Sequence, residues 1–252
     1  MKLIKNTKIL FITLFLSCLN GTHATELGSL EFLTESYPPY NFKDGGKLQG
    51  IAVDLLTQAS QSAGDPITSS KIKLLPWPRA YSKATEGPNI VLFSTTRTEQ
   101  REPLFHWVGP ISATRVVLMA RKSDKIIINS EADIKKYIIG AIRDDIGEVL
   151  VKAAGVPDSS IKKIPRANSL VKMLNSGRIN LWAYEENVSR WFIKQEGLKN
   201  SDFEAVHVLK ESDLYYTFSK DINKEVVDKL QQGVDAIRGD KSRYQDIVNK
   251  YL

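Results

Sequence analysis

Residues 92–111 of this chain are LFSTTRTEQREPLFHWVGPI. An apolar, strand-like run ends here in three hydroxyl residues at 94–96, and a charged turn that carries Arg97 and Arg101 follows. Hydroxyl and backbone N–H groups at the end of a strand suit a carboxylate, above all beside an arginine, whose planar guanidinium can hold both oxygens. A helix start would add free N–H donors. An ordinary helix cap explains the same residues equally well, so this stretch alone leaves both interpretations open.

The pattern Ser-x-Thr-x-Thr-Glu-x-Arg-x-x-x-Phe-x-x-x-x-Pro within this stretch resembles the first-lobe ligand loop of a known family. The family is that of the periplasmic solute-binding proteins of amino-acid ABC transporters, the bacterial extracellular solute-binding proteins of family 3. The resemblance implies that Thr96 and Arg101 hold the α-carboxylate of a ligand. Ser94, the first hydroxyl of the loop, is a further candidate ligand contact. Arg97 either adds a second anion contact or faces solvent.

Five further motifs of that family occur in the family's order. They are Tyr-Pro-Pro-Tyr at 37–40, Leu-Gln-Gly-Ile-Ala-Val-Asp-Leu at 48–55, a glycine-containing strand at 138–142, Leu-Asn-Ser-Gly-Arg-Ile-Asn at 174–180 and the terminal segment 239–252. The resemblance therefore covers nearly all of the chain from Leu30 to Leu252. It implies an α/β fold of the type II periplasmic-binding-protein class, with two lobes that are each a mostly parallel sheet flanked by helices.

Strands that alternate with helices independently favour largely parallel sheets, whose ligands bind at the carboxyl ends of the strands. Two apolar strands, at Val116–Ala120 and Leu214–Phe218, have the character of crossovers between lobes. We accordingly place lobe 1 at residues 25–115 plus 212–252 and lobe 2 at residues 116–211.

Aromatic residues after the first two strands are candidate walls of the site. Tyr37 and Tyr40 stand on a Pro-Pro corner, at the position where the family covers its ligand with aromatic side chains. Surface packing is the alternative for both tyrosines. Trp77, between two prolines, either stacks on the ligand or fills the core beneath a helix predicted from Ala80.

The second lobe supplies the candidate acids. Five residues after Asn180 the family places the acid that pairs with the ligand's α-ammonium, and the resemblance implies this role for Glu185. Asp144 and Asp145 stand where the family has Gly-Thr. An ionised Asp145 could not hold a carboxylate as that threonine does. This departure shifts the expected ligand toward one with an additional amine or a wider cationic part, and makes Asp145 a ligand-contact candidate.

The first 24 residues have the three parts of a secretory signal peptide: lysines at the start, an apolar run from Ile9 to Leu19, and Thr-His-Ala before the cut. The apolar run is too short to span a bilayer as a helix. We predict cleavage after Ala24 and release into the periplasm. A lipid anchor at Cys18 is the alternative, although the residues that precede this cysteine match the anchor motif only in part.

Composition excludes several classes of function. Removal of the segment takes three lysines and no acids, so the formal net charge falls from +6 to about +3. So small an excess does not indicate nucleic-acid binding. The one cysteine would leave with the segment, and of the histidines only His106 and His207 would remain. We therefore predict no disulfide, no metal site and no cofactor.

The leading hypothesis is a monomeric, extracytoplasmic solute-binding protein that captures a small amino-acid-like ligand between closing lobes. By resemblance it would deliver that ligand to an ABC transporter permease. A periplasmic dehydratase-like enzyme is the alternative from another class, and Glu35, Asp145 or Glu185 would be its carboxylate. The sequence has no Ser-His-Asp set, P-loop or HExxH motif, so we predict that the protein is not an enzyme. A soluble sensor for a membrane receptor is a third possibility.

Overall fold

The computed structural model describes residues 26–252. The predicted signal segment, its cleavage point after Ala24 and the alternative lipid site at Cys18 lie outside the described residues. Within the described range, no helix combines the length and the apolar character needed to cross a membrane.

Strands and helices alternate through most of the described chain, as the sequence predicts. The strands are β1 (Glu31–Thr34), β2 (Phe42–Asp44), β3 (Lys47–Gln49), β4 (Ile72–Leu74), β5 (Ile90–Thr96), β6 (Phe105–Arg121), β7 (Ile139–Ile142), β8 (Ile161–Ile164), β9 (Leu181–Glu185) and β10 (Phe203–Ser219). The helices are α1 (Ile51–Ser62), α2 (Trp77–Glu86), α3 (Glu131–Ile134), α4 (Ile146–Ala153), α5 (Ala167–Asn175), α6 (Glu186–Gln195), α7 (Lys224–Gly239) and α8 (Lys241–Asn249).

One eight-stranded sheet runs through the molecule in the order β4-β1-β5-β10-β6-β9-β7-β8. At one end β1 pairs in parallel with β4 and β5, and at the other end β7 pairs in parallel with β8 and β9. The two 17-residue strands β6 and β10 lie antiparallel between these ends and pair along their whole length. Two parallel half-sheets are thus joined by two long shared strands.

The boundary proposed between the lobes falls inside these shared strands. Arg115 and Glu211 are register partners there, and β9 pairs with the part of β6 that follows them. On the other side, β5 pairs with β10 from Leu214 onward. The division at residues 115 and 212 stays a prediction, and any rotation of one half against the other would have to bend β6 and β10.

The shared strands are much longer than the segments 116–120 and 214–218 that the sequence predicts. The Gly109-Pro110 pair is typical of the end of a strand, because proline has no backbone N–H to donate to a neighbouring strand. The structure accommodates it at a register shift between Leu214 and Tyr216. There the side chain of Gln231 accepts from the Gly109 N–H at 2.8 Å and donates to the Gly109 carbonyl at 2.9 Å. A side chain from α7 therefore replaces the missing ladder partner.

Two local predictions about helices are wrong. The charged turn after β5 makes a single turn, in which the Arg101 N–H donates to the Thr98 carbonyl at 3.0 Å, and then a 3-10 turn leads into β6. Pro103 explains the break, since its ring and missing N–H do not fit a helix interior. In the second case, α2 begins at Trp77 and not at Ala80. A proline is tolerated in a first helical turn, so Pro78 does not delay the start.

Two glycines allow close approaches that shape the site. Gly50 has φ of 129°, as expected for a glycine-specific conformation, and a Cβ there would lie 2.3 Å from the carbonyl oxygen of Tyr40. Gly147, in the first turn of α4, lies against β9, and a Cβ there would lie 2.2 Å from the Ala183 carbonyl oxygen. The first contact holds the Pro-Pro corner against α1, and the second seats the start of α4, just after Asp145, on the strand that carries Glu185.

We expect Gly147→Ala to lower the free energy of unfolding by about 1–3 kcal/mol. Alanine has the better helix propensity, but the added methyl group meets backbone that cannot yield, and overpacking of this kind outweighs the gain. Gly239→Ala is the matched control, because this glycine ends α7 and a Cβ there meets nothing within 4 Å. Urea unfolding of both variants would measure the difference, and equal stability would contradict the close packing of α4 on β9.

Candidate functional site

The carboxyl ends of the parallel strands in both halves of the sheet face one another. Each residue predicted to contact ligand follows or ends one of these strands, and all are at least nine-tenths buried. They are Tyr37 and Tyr40 after β1, Trp77 after β4, Ser94, Thr96 and Arg101 at and after β5, Asp145 after β7, and Glu185 at the end of β9. The structure therefore brings the predicted residues together at the junction where the two sets of strand ends meet. Their contact with ligand stays a prediction.

Arg101 is the buried cation of this junction. Its side chain is 3% exposed, and its guanidinium carbon lies 5.2 Å from the ring centre of Trp77 and 5.1 Å from that of Tyr81. It donates to the carbonyl of Thr96 at 3.3 Å and to the carbonyl of Asp144 at 3.1 Å. Two aromatic faces and two carbonyls therefore orient the guanidinium. The contact with Asp144 reaches the other half of the sheet.

Trp77 also crosses between the halves. Its ring stacks on Tyr81, with centres 5.4 Å apart, and its indole N–H donates to the carbonyl of Asp144 at 2.9 Å. The two alternatives for this residue were a ligand wall and core filling beneath α2. It is 2% exposed and packs in the core, yet its polar edge reaches the opposite lobe.

The backbone conformation of Asp144 explains how an aspartate can stand where the family has glycine. Its φ is 59°, a left-handed conformation that glycine adopts freely and that aspartate tolerates better than most residues. The Asp144 N–H donates to a carboxylate oxygen of Glu148 at 2.8 Å, and Lys152 and Lys163 pair with that carboxylate. In this conformation the Asp144 carbonyl accepts from Trp77 and Arg101.

Three buried carboxyl groups lie where the two sets of strand ends meet: Glu35 after β1, Asp145 after β7 and Glu185 at the end of β9. Arg101 interacts electrostatically with Glu35 and Asp145. Loss of solvation raises the pKa of Glu35 well above its usual range, and the nearby Asp145 raises it further. Burial likewise raises the pKa of Asp145, although Arg101 opposes the shift. One oxygen of Asp145 has no hydrogen-bond partner among residues 26–252. The junction therefore holds three acidic side chains and one basic side chain.

Glu185 is the best-partnered of the three acids. It caps α6 by accepting the Val188 N–H at 2.7 Å, and it accepts the Tyr40 hydroxyl at 3.1 Å and the Asn187 amide at 3.5 Å. Burial raises its pKa to about 7 in spite of these donors. A carboxylate offers about four lone-pair sites, so one further donor can still be accepted.

The tyrosines form a wall between the two halves. Tyr37 lies 5.7 Å from Tyr40 and packs edge-on against Tyr184 at 5.4 Å, ring centre to ring centre. Tyr184 is fully buried, and its hydroxyl has no hydrogen-bond partner within the described residues. Tyr37 and Tyr40 are therefore buried in the junction and do not pack on the surface.

Two of the predicted contacts have structural tasks as well. Ser94 has φ of 62°, and its hydroxyl donates to the side-chain oxygen of Asn41. The Asn41 amide in turn donates to the Glu35 carbonyl at 2.7 Å. Ser94 thus stabilises the segment that carries Glu35 and the tyrosines. Thr96 supplies the carbonyl that orients Arg101.

Arg97 makes its contacts outside the group of buried residues at the junction. Its guanidinium binds the carboxylate of Glu102 through two contacts of 2.6 Å and lies over the rings of Trp107 and Tyr215. Its side chain is 41% exposed. Arg97 thus lies at the surface with Glu102 as its partner, which favours the solvent-facing alternative.

Sequence analysis missed three residues of the cluster or its surround. Glu35 was considered only as an enzymatic carboxylate, and neither Tyr81 nor Tyr184 was considered. Glu35 directly follows β1 and Tyr184 lies within β9, so the rule that ligands bind at the carboxyl ends of parallel strands would have found both. Tyr81 lies one helical turn after Trp77, and no local signal shows that it packs on Arg101.

Two cavities adjoin the cluster. A cleft of about 480 Å³ opens between the lobes beside Glu35, and a smaller one of about 320 Å³ lies beside Glu185 at the shared strands. Among residues 26–252 no group of three His, Cys, Asp or Glu side chains is arranged to hold a metal ion, so the three acids do not form such a group. The arrangement suits an organic ligand with both charges.

Comparison with known proteins identifies the family. The model of the bacterial extracellular solute-binding proteins, family 3, matches residues 32–252. A probable histidine-binding protein of Campylobacter jejuni subsp. jejuni is 20% identical over 224 residues, which cover 86% of this chain and 81% of that protein.

Solved structures show the same fold. A histidine kinase sensor domain with similarity to periplasmic binding proteins has a TM-score of 0.77 at 19% identity, covering 88% of this chain and 96% of that one. An ancestral arginine-binding protein bound to arginine has a TM-score of 0.72 at 23% identity, covering 88% and 97%. The predicted two-lobe α/β fold is confirmed. The chain belongs to the bacterial extracellular solute-binding proteins of family 3, a family of binding proteins that act outside the cytoplasm.

Proposed function

We propose that this member of the family captures an α-amino acid with a cationic side chain between its two lobes and delivers it to an ABC transporter permease. The observation that carries the proposal is the charge arrangement of the junction. Arg101 projects from lobe 1 and interacts electrostatically with the buried acids Glu35 and Asp145, while the third buried acid, Glu185, lies on lobe 2. A zwitterion would engage both signs of charge and hold the lobes together.

The excess of acids selects among zwitterions. The carboxylate of the ligand would neutralise Arg101, and its α-ammonium would take one acid, Glu185. A second cation on the ligand would allow one of the remaining acids, whose pKa values burial raises, to ionise and pair with it. The relative and the solved structure named for histidine and arginine binding support this class of ligand. Acidic and purely apolar amino acids would offer these acids no cationic partner.

The lobes that close on the ligand would be residues 25–115 plus 212–252 and residues 116–211, bending at β6 and β10. Tyr37, Tyr40 and Trp77 would cover the ligand, while Thr96 would join Arg101 at the carboxylate and Ser94 would line the loop. Asp145, whose unpartnered oxygen is buried at the junction, would accept from the second cation. The protein would act as a monomer in the periplasm after loss of residues 1–24.

Isothermal titration calorimetry with L-arginine, L-lysine, L-histidine, L-glutamine and L-glutamate tests the proposal. We expect a basic amino acid to bind most tightly and L-glutamate to give no heat. Mass spectrometry of the recovered ligand should show it unchanged, as expected of a binding protein and not of an enzyme. Tighter binding of L-glutamate, or conversion of the ligand, would overturn the proposal.

Affinity for a basic ligand should rise with pH between 5 and 8. Glu185, with a pKa of about 7, is largely protonated at pH 5 and must lose its proton before it can pair with an ammonium. Binding should therefore be about a hundredfold weaker at pH 5 than at pH 8 and should release protons. Calorimetry in buffers of different ionisation enthalpy would measure this release. Affinity that is independent of pH across this range would contradict the pairing.

A further inference from the structure

The cleft beside Glu35 has apolar wall residues from both lobes, and its remaining lining is polar: Ser36, Arg166, Asn168, Gln195 and Glu196. Leu74, Leu75 and Pro76 line it from lobe 1, and Pro165, Ala167 and Phe192 line it from lobe 2. Its volume of about 480 Å³ falls within the range of small-molecule sites. It lies outside the group of aromatic and charged residues that the proposed function uses, since none of the eight predicted contacts lines it.

The inner end of the cleft is marked by Glu35. This residue is 9% exposed, and among residues 26–252 no donor is hydrogen-bonded to its carboxyl group, although its backbone carbonyl accepts from Asn41. The same carboxyl lies close enough to Asp145 and Arg101 to interact with both electrostatically. Glu35 thus stands where the cleft meets the amino-acid site, and its carboxyl group can accept a hydrogen bond from a ligand in the cleft.

We propose that the cleft is a second subsite that takes a hydrocarbon group carried on the side-chain nitrogen of the ligand. The proposal rests on the proposed function, because the amino-acid part of the ligand must first be held by Arg101 and Glu185. The side-chain nitrogen would remain cationic between Asp145 and Glu35, whose carboxyl groups interact electrostatically with each other, and its substituent would lie between Leu75 and Phe192. The ligand class is therefore N-alkylated basic amino acids in preference to unsubstituted ones.

The apolar walls give a reason for this preference. An unsubstituted lysine or arginine would end at Glu35 and leave the walls in contact with water. A hydrocarbon substituent would remove apolar surface of both lobes from water at once, so its burial would favour the closed arrangement as well as binding. Each methylene group in such a pocket changes affinity by about tenfold or more.

Calorimetry with L-lysine and Nε-benzyl-L-lysine tests the subsite, because the benzyl derivative keeps a protonatable amine. We expect the derivative to bind at least about tenfold more tightly than lysine. Ala167→Leu, at the first position of α5, fills the cleft with a good helix former and should remove this gain while leaving lysine affinity unchanged. Ser169→Leu, in the same helix but not among the residues that line the cleft, is the control and should preserve the gain.

The outcomes separate the two proposals. If lysine binds but the benzyl derivative binds no better, the subsite is refuted and the proposed function stands. The subsite is refuted in the same way if Ala167→Leu weakens both compounds equally. If neither compound binds while other amino acids do, the proposed ligand class fails and the subsite falls with it. If no amino acid binds at all, the proposed function itself is overturned.

Discussion

Arg101→Ala is expected to abolish measurable ligand binding while the lobes still fold. The guanidinium is the only cation among the buried residues of the described chain, and it is already oriented by two aromatic rings and two carbonyls. Removal of one partner of a desolvated charge pair costs about 2–5 kcal/mol, which is about thirtyfold to several thousandfold in affinity. Calorimetry with the ligand identified from the amino-acid panel would measure the loss.

Arg97→Ala is the matched control, four residues earlier in the same loop. Arg97 pairs with Glu102 at a partly exposed site, and exposed ion pairs contribute at most about 1 kcal/mol. We expect its removal to change affinity less than about threefold. Circular dichroism melting curves would show whether each variant remains folded. If the two substitutions weakened binding equally, the assignment of the carboxylate to Arg101 would be wrong.

The predicted site residues lie at the same strand ends in the structure because they follow a simple rule. Strand ends are visible as apolar runs that stop at polar or aromatic residues, and parallel strands bring their carboxyl ends to one edge. Thr96, Glu185 and Asp145 were predicted from the family resemblance, and the same rule accounts for their position at strand ends. Their contact with ligand stays a prediction. The unusual backbone conformation of Gly50 fits its place in the motif at 48–55, since only glycine adopts such a conformation without strain.

What escaped prediction depends on contacts between residues far apart in the chain. The long shared strands required Gln231 to replace the ladder partner of Gly109, and no pattern near residue 109 shows this. The role of Asp144 could not be predicted either. Its side chain attracted notice as a departure from the family, whereas its backbone carbonyl makes the contacts to Trp77 and Arg101. The sequence shows the charge of an aspartate at such a position, but it does not show which backbone conformation that residue adopts.

Glu185→Gln should weaken binding by about thirtyfold or more and prevent closure at ligand concentrations that compact the wild type. The substitution keeps the size of the side chain and an oxygen that can cap α6 at Val188, but it removes the charge that attracts an ammonium. Because Arg101 and Glu185 lie on opposite lobes, a ligand bound only at Arg101 would no longer bridge them. Small-angle X-ray scattering with and without ligand would report the difference as an unchanged radius of gyration.

Asp145→Asn, compared with Glu185→Gln, distinguishes the roles of the two acids in ligand binding. Asp145 has a buried oxygen without a hydrogen-bond partner and a pKa raised by burial, so a neutral amide should leave the protein at least as stable at pH 8. If Asp145 takes only the second cation, Asp145→Asn should weaken L-arginine binding but leave L-glutamine binding almost unchanged. Glu185→Gln should weaken both, because both ligands carry the α-ammonium. Should Glu185→Gln bind and close normally while Asp145→Asn loses both ligands, the α-ammonium site belongs to Asp145, and Glu185 serves only to cap α6 and orient Tyr40.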